Sequence, residues 1–434
     1  MTLKFAIVSI GTELNLGLIL NTNSKYIAEI LSDMGLECNY MITVKDSEQD
    51  ISNVLKVCLN FSDIIIITGG LGPTDDDLTR IAVAKFLKRK LIKDNSLDNT
   101  SLRFLKYLKN DKVTQALMRQ SYIPDGSIPI KPEVGSASGF IINDNGKSII
   151  AVPGVPREMR DMFERNVIPY IKSILKESMN YKSDKNEIIK KRILLTTDIS
   201  ESQIEYSIKK VKLSADNLDV YIGVTASPGL IKIMLIARAM SLKTCEKNLK
   251  TVENEIRKAI GGNIYGTDRI TIGDSIYNAI LNRKDSLTIS AAESITGGLI
   301  SSLITDTPGS SKYFLGSIIS YSDFAKESIL GINNSILKTS GAVSREVCIE
   351  MAQKAKKLFS SDLSISATGI AGPTSPEKGK DVGLVYCSIA GPGNYQEVFE
   401  KRYIGTRTDI KFRTSQFILN QLRNSLENSE TVKI

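Results

Sequence analysis

The chain of 434 residues contains no histidine. Catalysis by a Ser/His or Cys/His pair is therefore excluded, and any proton relay must run through Lys, Tyr, Asp, Glu or bound water. Cysteine is sparse. Cys38, Cys58, Cys245, Cys348 and Cys387 lie far apart and form no CxxC pair, which removes a zinc knuckle or disulfide framework and leaves them as small core residues. No apolar run approaches the ~18 residues that span a bilayer, and no small-residue cleavage site follows the N-terminal FAIVSI, so a cytoplasmic chain with no membrane partner is expected. No low-complexity tract or internal repeat is present. Fifty-six basic against forty-eight acidic residues leave +8, yet no basic run is interleaved with aromatics. Nucleic acid is thus no expected partner, whereas a positive field favours anionic small molecules in a cleft.

What is present is a globular composition, 42% hydrophobic and 24% charged, long enough for about three folding units. In residues 1–175, Lys4 to Ile10 reads as a strand. Ile27, Ile30, Leu31 and Met34 follow at helical spacing, with Asn23 or Ser24 placed to cap them. Ile51, Val54, Leu55, Cys58 and Leu59 repeat that spacing, and Ile64 to Ile67 is a continuous apolar run of the kind a strand covered on both faces shows. With Ile149 to Val152 and a helix after Pro156, this predicts βαβ units around a mostly parallel sheet. Residues 180–268 begin with a polar linker, NYKSDKNE, and read as a small α+β unit of strand, helix, two strands and helix. Ser200 and Gln203 have capping-box spacing there, and Ser227, Pro228 and Gly229 form a turn between Tyr221–Thr225 and Leu230–Ala237. Residues 273–430 read as a second α/β domain with strands Leu287–Ala291, Ser317–Tyr321, Leu363–Ala367 and Gly383–Ile389.

The first chemistry-bearing segment is TGGLGPTDDD, Thr68 to Asp77, between the buried strand and a helix. Ligands gather outside the carboxyl ends of parallel strands, and glycines there let backbone N–H groups approach a phosphate. Gly69, Gly70 and Gly72 suit that role. Asp75, Asp76 and Asp77 can hold a divalent cation or a ligand hydroxyl, although a tight turn whose acids cap the next helix accounts for them as well.

The second segment is AAESITGGL, with Ser294 at a strand end and Gly297 and Gly298 opening a helix. Helix-start N–H groups near those glycines offer an oxyanion hole or a phosphate cradle, while Ser294 alone reads equally as a helix cap. Tyr321, Ser322 and Lys326 follow in YSDFAK at another strand-to-helix junction. In a chain without histidine, the activator of a serine hydroxyl is a neutral lysine. Lys326 is that candidate, and Tyr321 can relay or donate a proton. ATGIAGPTSP adds Thr368, Gly369 and Gly372 for close phosphate approach, and RYIGTRTD adds Arg407 as a bidentate phosphate ligand.

IGTELNLGLILNTNSKYIAEIL, TGGLGPTDDDLTR and VPGVPREM resemble the N-terminal domain of the CinA family, which is similar to molybdopterin-binding proteins of the MoaB/MogA kind. SAAESITGGLISSLIT, PGSSKYFLGSIISYSDFAK, GAVS and ATGIAGPTSP resemble the nicotinamide-nucleotide amidohydrolase domain of the same family. The resemblance implies a three-layer MoaB/MogA-like domain, a KH-like middle domain and an α/β amidohydrolase domain. It also implies hydrolysis of nicotinamide mononucleotide to nicotinic acid mononucleotide and ammonia in pyridine nucleotide salvage, with Ser294 as nucleophile and Lys326 and Tyr321 as proton-transfer partners. Substrate binding is then expected at Gly297, Gly298, Thr368, Gly369, Gly372 and Arg407, with no cofactor. For the N-terminal domain it implies a pterin or nucleotide-phosphate pocket at Gly69, Gly70, Gly72, Thr74 and Asp75. In some members this domain is a metal-dependent ADP-ribose pyrophosphatase, for which Asp76 is the metal ligand candidate. EVGSASG departs from an NxxGTAPG-like stretch, and GTRTDIK lacks an Asp before Arg407 and carries Lys411 where an Arg is expected. The alternatives are the pyrophosphatase as main activity or a non-catalytic pterin-binding or competence-related scaffold. Partners are small nucleotides, and a homodimer is expected.

Overall fold

The computed structural model describes residues 3–97, 118–181, 188–227, 229–283, 285–375 and 379–428, with side chains described up to 175 and from 188. Most of the linker predicted at 180–187, together with Pro228 and Pro376, lies outside the described residues. The chain divides into two compact units, one of residues 1–190 with 239–242 and one of residues 191–238 with 243–434.

In the first unit a six-stranded sheet is built from β1 (Lys4–Ile10), β2 (Glu37–Val44), β3 (Ile64–Thr68), β6 (Ile128–Ile130), β7 (Gly139–Asp144) and β8 (Lys147–Val152), while β4 (Leu91–Lys93) and β5 (Tyr122–Pro124) pair separately. Its order is β2-β1-β3-β8-β7-β6, parallel from β2 to β8 and antiparallel beyond. Alternation along the central strands sends Ala6, Val8, Ile65 and Ile67 to one core, shared with α2 (Glu48–Phe61) and α3 (Thr79–Phe86). Phe5, Ile7, Ile64 and Ile66 go to the other, shared with α1 (Thr22–Asp33), α4 (Pro156–Met162) and α5 (Ile168–Tyr181). The predicted three layers are present. The cap of α1 is Asn21, whose side chain accepts from the Ser24 N–H; Asn23 and Ser24 lie inside the first turn.

The second unit opens with β9 (Ile188–Thr196), α6 (Glu201–Asp216), β10 (Val220–Ser227), β11 (Leu230–Ala239), α7 (Leu242–Ile260) and β12 (Ile264–Thr267), forming a sheet of order β10-β11-β9-β12. The capping box of Ser200 and Gln203 forms as its spacing predicts. A five-stranded sheet follows, of order β14-β13-β15-β16-β17, from β13 (Ile289–Glu293), β14 (Phe314–Ile319), β15 (Leu363–Gly369), β16 (Leu384–Ala390) and β17 (Gln396–Arg402). The first three are parallel. One face packs on α8 (Ile272–Leu281), α9 (Leu299–Thr305) and α12 (Arg407–Glu427) through Ile276, Ile300, Ile304, Phe417 and Ile418. The other carries Ala292 against Leu330, Ile332, α10 (Asn334–Ser340) through Ile336 and Leu337, and α11 (Arg345–Phe359) through Val347 and Met351. Each fully buried Ile, Leu, Val, Met or Phe among these contributes roughly 1.5–3 kcal/mol relative to exposure, and β13, buried at every position, lies between the two faces they cover.

Candidate active site

The N-terminal glycine loop proves to be bound up with its own chain. Gly69 has φ +108°, and a Cβ there would lie 2.1 Å from the Ile10 carbonyl oxygen; at Gly70, with φ +63°, it would lie 2.3 Å from Thr79 Oγ1. These glycines admit neighbouring strand ends and the next helix. The Gly69 N–H donates to Val152 O at 3.1 Å. Asp77 accepts from Gly72 N at 2.7 Å, Thr74 N at 2.8 Å and Thr74 Oγ1 at 2.5 Å, so of the glycine amides predicted to cradle a phosphate those of Gly69 and Gly72 are already engaged. The helix-cap reading also fails, because α3 begins after Leu78 without a side-chain cap. Asp75 meets Arg119, and hydrogen bonding, first from Thr74, holds the Asp76 carboxyl below its ordinary value. Among the described residues no group of three or more His, Cys, Asp or Glu is arranged for a metal ion.

In the C-terminal domain, β13, β14 and β15 end side by side. Ser294 N–H donates to Ala367 O at 3.0 Å and Ser320 N–H to Glu293 O at 2.8 Å, extending both ladders past the strands. Since Ala292 registers with Ile318 and Ser366, alternation puts Ser320, Ser294 and Thr368 on one face at strand spacings of about 4.8 Å. That is the face covered by Leu330 and Ile332. The π-helical turn Ala325–Ile329 just before them carries Lys326. Ser294 is 7% exposed and Lys326 2%. The Lys326 Nζ donates to the Tyr321 carbonyl at 3.4 Å.

Arg407, the first residue of α12, joins two of the predicted loops. Its Nη1 donates to Gly372 O at 2.8 Å and its Nη2 to Tyr321 Oη at 2.5 Å. The phenol is 59% exposed, at the mouth of the site. Thr368 Oγ1 donates to Ala342 O at 2.9 Å, fixing the GAVS segment. Gly369 has a different role from phosphate approach: a Cβ there would meet Leu384 O at 2.7 Å and Ile295 Cδ1 at 2.9 Å, so its lack of side chain seats the neighbour of Ser294.

Gly297 and Gly298 do not supply an oxyanion hole. Gly297 N–H turns back to Ser294 O at 3.2 Å, and Gly298 N–H donates to Glu293 Oε2 at 2.8 Å. Nor is Ser294 a cap, since α9 starts at Leu299 and its cap residue is Gly298, with φ +95°. Among the described residues, the N–H groups of this loop without an acceptor are those of Ile295 and Thr296. A cleft of ≈ 610 Å³ adjoins it, lined by Thr296, Gly297, Gly298, Leu299, Thr408 and Lys411 among others. Sequence reading misses Glu293, a fully buried acid; the available signal is a lone charge directly after ISAA and directly before Ser294.

Three family models match: a probable molybdopterin binding domain over residues 6–173, the damage-inducible protein CinA KH domain over 191–266, and the CinA C-terminal domain over 274–426. A CinA-like protein of Dictyoglomus turgidum is 37% identical over 431 residues, covering 98% of this chain and 100% of the relative. The chain belongs to the CinA family. A CinA-like protein of Kosmotoga olearia is 36% identical over 427 residues, 98% of this chain and 99% of that one. A crystal structure of the protein CinA, of unknown function, from Thermoplasma acidophilum is 30% identical, covering 41% of this chain and 98% of that chain with a TM-score of 0.36. The CinA chain thus has a MoaB/MogA-like N-terminal domain, a KH-like middle and a CinA C-terminal domain. Among the described residues no helix is long and apolar enough to cross a membrane.

Proposed function

We propose that the C-terminal domain of this CinA protein deamidates nicotinamide mononucleotide, yielding nicotinic acid mononucleotide and ammonia. The observation that supports the reading is the burial of both Ser294, at the carboxyl end of β13, and Lys326, in the turn that leads into Leu330 and Ile332, in a chain without histidine. Ser294 Oγ attacks the carboxamide carbon and gives its proton to Lys326 Nζ, acting as the general base. The carbonyl electrons move onto oxygen, which accepts hydrogen bonds from the N–H groups of Ile295 and Thr296. As the C–N bond breaks, Lys326 returns the proton to the leaving nitrogen, which departs as ammonia. Water then adds to the ester, losing a proton to Lys326, and Ser294 Oγ leaves with that proton. Tyr321, whose phenol accepts from Arg407, keeps its own proton to donate to substrate at the mouth. Lys411 beside Gly297 gives the adjoining cleft a cation for the phosphate end.

The test is ammonia release from nicotinamide mononucleotide by the purified full chain, read by a coupled glutamate dehydrogenase assay. Turnover is expected in the native protein and its loss in Ser294→Ala. Equal turnover in the two proteins removes the serine from the reaction.

A further inference from the structure

The carboxylate of Glu293 is wholly buried, and it accepts five hydrogen bonds. Oε2 takes Thr296 Oγ1 at 2.8 Å, Gly298 N at 2.8 Å and Ile300 N at 3.1 Å, and Oε1 takes Ser301 N at 2.9 Å and Ser301 Oγ at 2.6 Å. Ser301 Oγ also lies 2.6 Å from Ser317 Oγ, so the same network reaches β14. One side chain at the last residue of β13 therefore closes residues 293–301 into a ring that contains Ser294.

Withdrawing a carboxylate from water is costly, and apolar replacement of buried charges is often stabilising, so stability alone is a weak reason for an acid at this point in a strand. Its effect on direction is specific. The Glu293 side chain points to the α9 side of the sheet, the face of Ala291, and alternation then sends Ser294 to the side of Ala292 and the Lys326 turn. By holding the Thr296 hydroxyl and the Gly298 amide, Glu293 bends the loop so that the Ile295 and Thr296 amides keep no acceptor of their own chain among the described residues.

We infer that Glu293 is a positioning residue for the deamidation: it holds the Ser294 loop in the conformation that presents the nucleophile to Lys326 and leaves two amides for the oxyanion. This rests on the reading of Ser294 as nucleophile. Because Glu293 touches no substrate, the interactions it supports are those strengthened in the transition state, and its loss falls on kcat.

The variant is Glu293→Gln, which keeps the shape but turns one acceptor oxygen into a donor facing donors. Two rates are measured on protein whose folding is checked by circular dichroism: ammonia release, and covalent labelling of Ser294 by a fluorophosphonate. In Glu293→Gln, kcat is expected to fall at least tenfold with KM within twofold, and labelling to slow in parallel. Ser301→Ala, which removes one donor to Oε1, serves if the glutamine variant does not fold, with a smaller loss in the same two rates. Native labelling and kcat per folded molecule in either folded variant, or a change in KM alone, overturns the positioning role. Labelling of the native chain without ammonia release refutes the substrate reading and leaves the Glu293 comparison to be decided by labelling. A native chain inert in both assays refutes the nucleophile and the inference together.

Discussion

Replacing Lys326 by methionine separates chemistry from folding. Methionine is unbranched and similar in length, so it fills the space of a side chain that is 2% exposed while removing the amine. The hydrogen bond from Nζ to the Tyr321 carbonyl, long at 3.4 Å, is forfeited. Its loss costs about 1 kcal/mol, which for a domain of this size moves Tm by about 2–4 °C. The catalytic loss is larger. Removing a positioned base costs about 10²–10⁴ in rate, or roughly 2.7–5.5 kcal/mol of barrier, so kcat for ammonia release should collapse in a protein that still melts close to the native temperature. Groups acting in one step are non-additive, and Ser294→Ala combined with Lys326→Met should be no slower than the worse single variant. The assays are coupled ammonia release and differential scanning fluorimetry on the same preparations. A Lys326→Met protein keeping more than a tenth of native kcat, or a double variant as slow as the product of the two single losses, refutes the pairing of Ser294 with Lys326.

Three further outcomes are expected. Gly369→Ala places a methyl 2.7 Å from the Leu384 carbonyl and 2.9 Å from Ile295 Cδ1; overpacking of this kind costs about 1–3 kcal/mol, so a lowered Tm together with a lowered kcat is expected, and a native melting curve would contradict the packing argument. Burial pushes Tyr265, Tyr313 and Tyr395 up to about 12 from an ordinary 10. A raised folded-state value means the stability they contribute is intact below pH 10 and is lost as pH climbs towards 12. With no tryptophan in the chain, tyrosinate absorbance reports this cleanly; it should lag for these groups until circular dichroism shows unfolding, and complete ionisation near pH 10 with helices intact would contradict it. Asp77→Ala frees the Gly72 and Thr74 donors in the N-terminal loop; about 1 kcal/mol is expected locally, seen as faster proteolysis after residue 70 with ammonia release unchanged, and native protease resistance would show that Asp77 does not hold the loop.

The elements were legible where the cause is local. The Ser200 and Gln203 box forms because both partners sit within one turn, and the Ile64 to Ile67 run is a central strand because nothing polar interrupts it. The cap of α1 falls on Asn21 and not on the expected Asn23 or Ser24, because all three carry a side-chain oxygen able to cap a helix. Tertiary contact decides among them: Asn23 donates to Thr68 Oγ1 at 2.9 Å and Gly154 O at 2.8 Å, leaving Asn21 to cap. β13 was predicted as Leu287–Ala291 and forms at Ile289–Glu293, for a related reason. An acid reads as a strand terminator unless its donors are known, and those of Glu293 lie three to eight residues further along.

The same geometry explains why the glycine loops misled. A glycine at a strand end signals a close approach without saying what approaches, and at Gly69, Gly70 and Gly369 the approaching atoms belong to the chain itself. In each loop one glycine amide read as a ligand donor is claimed by a carboxylate within a few residues, Gly72 by Asp77 and Gly298 by Glu293. A glycine-rich turn with an acid at short range is therefore satisfied internally first, because an anion tethered at that distance competes at a high effective concentration with any diffusing phosphate. On the proposed reading, the donors near Ser294 that Glu293 does not hold are the Ile295 and Thr296 amides and the Arg407-bound phenol of Tyr321.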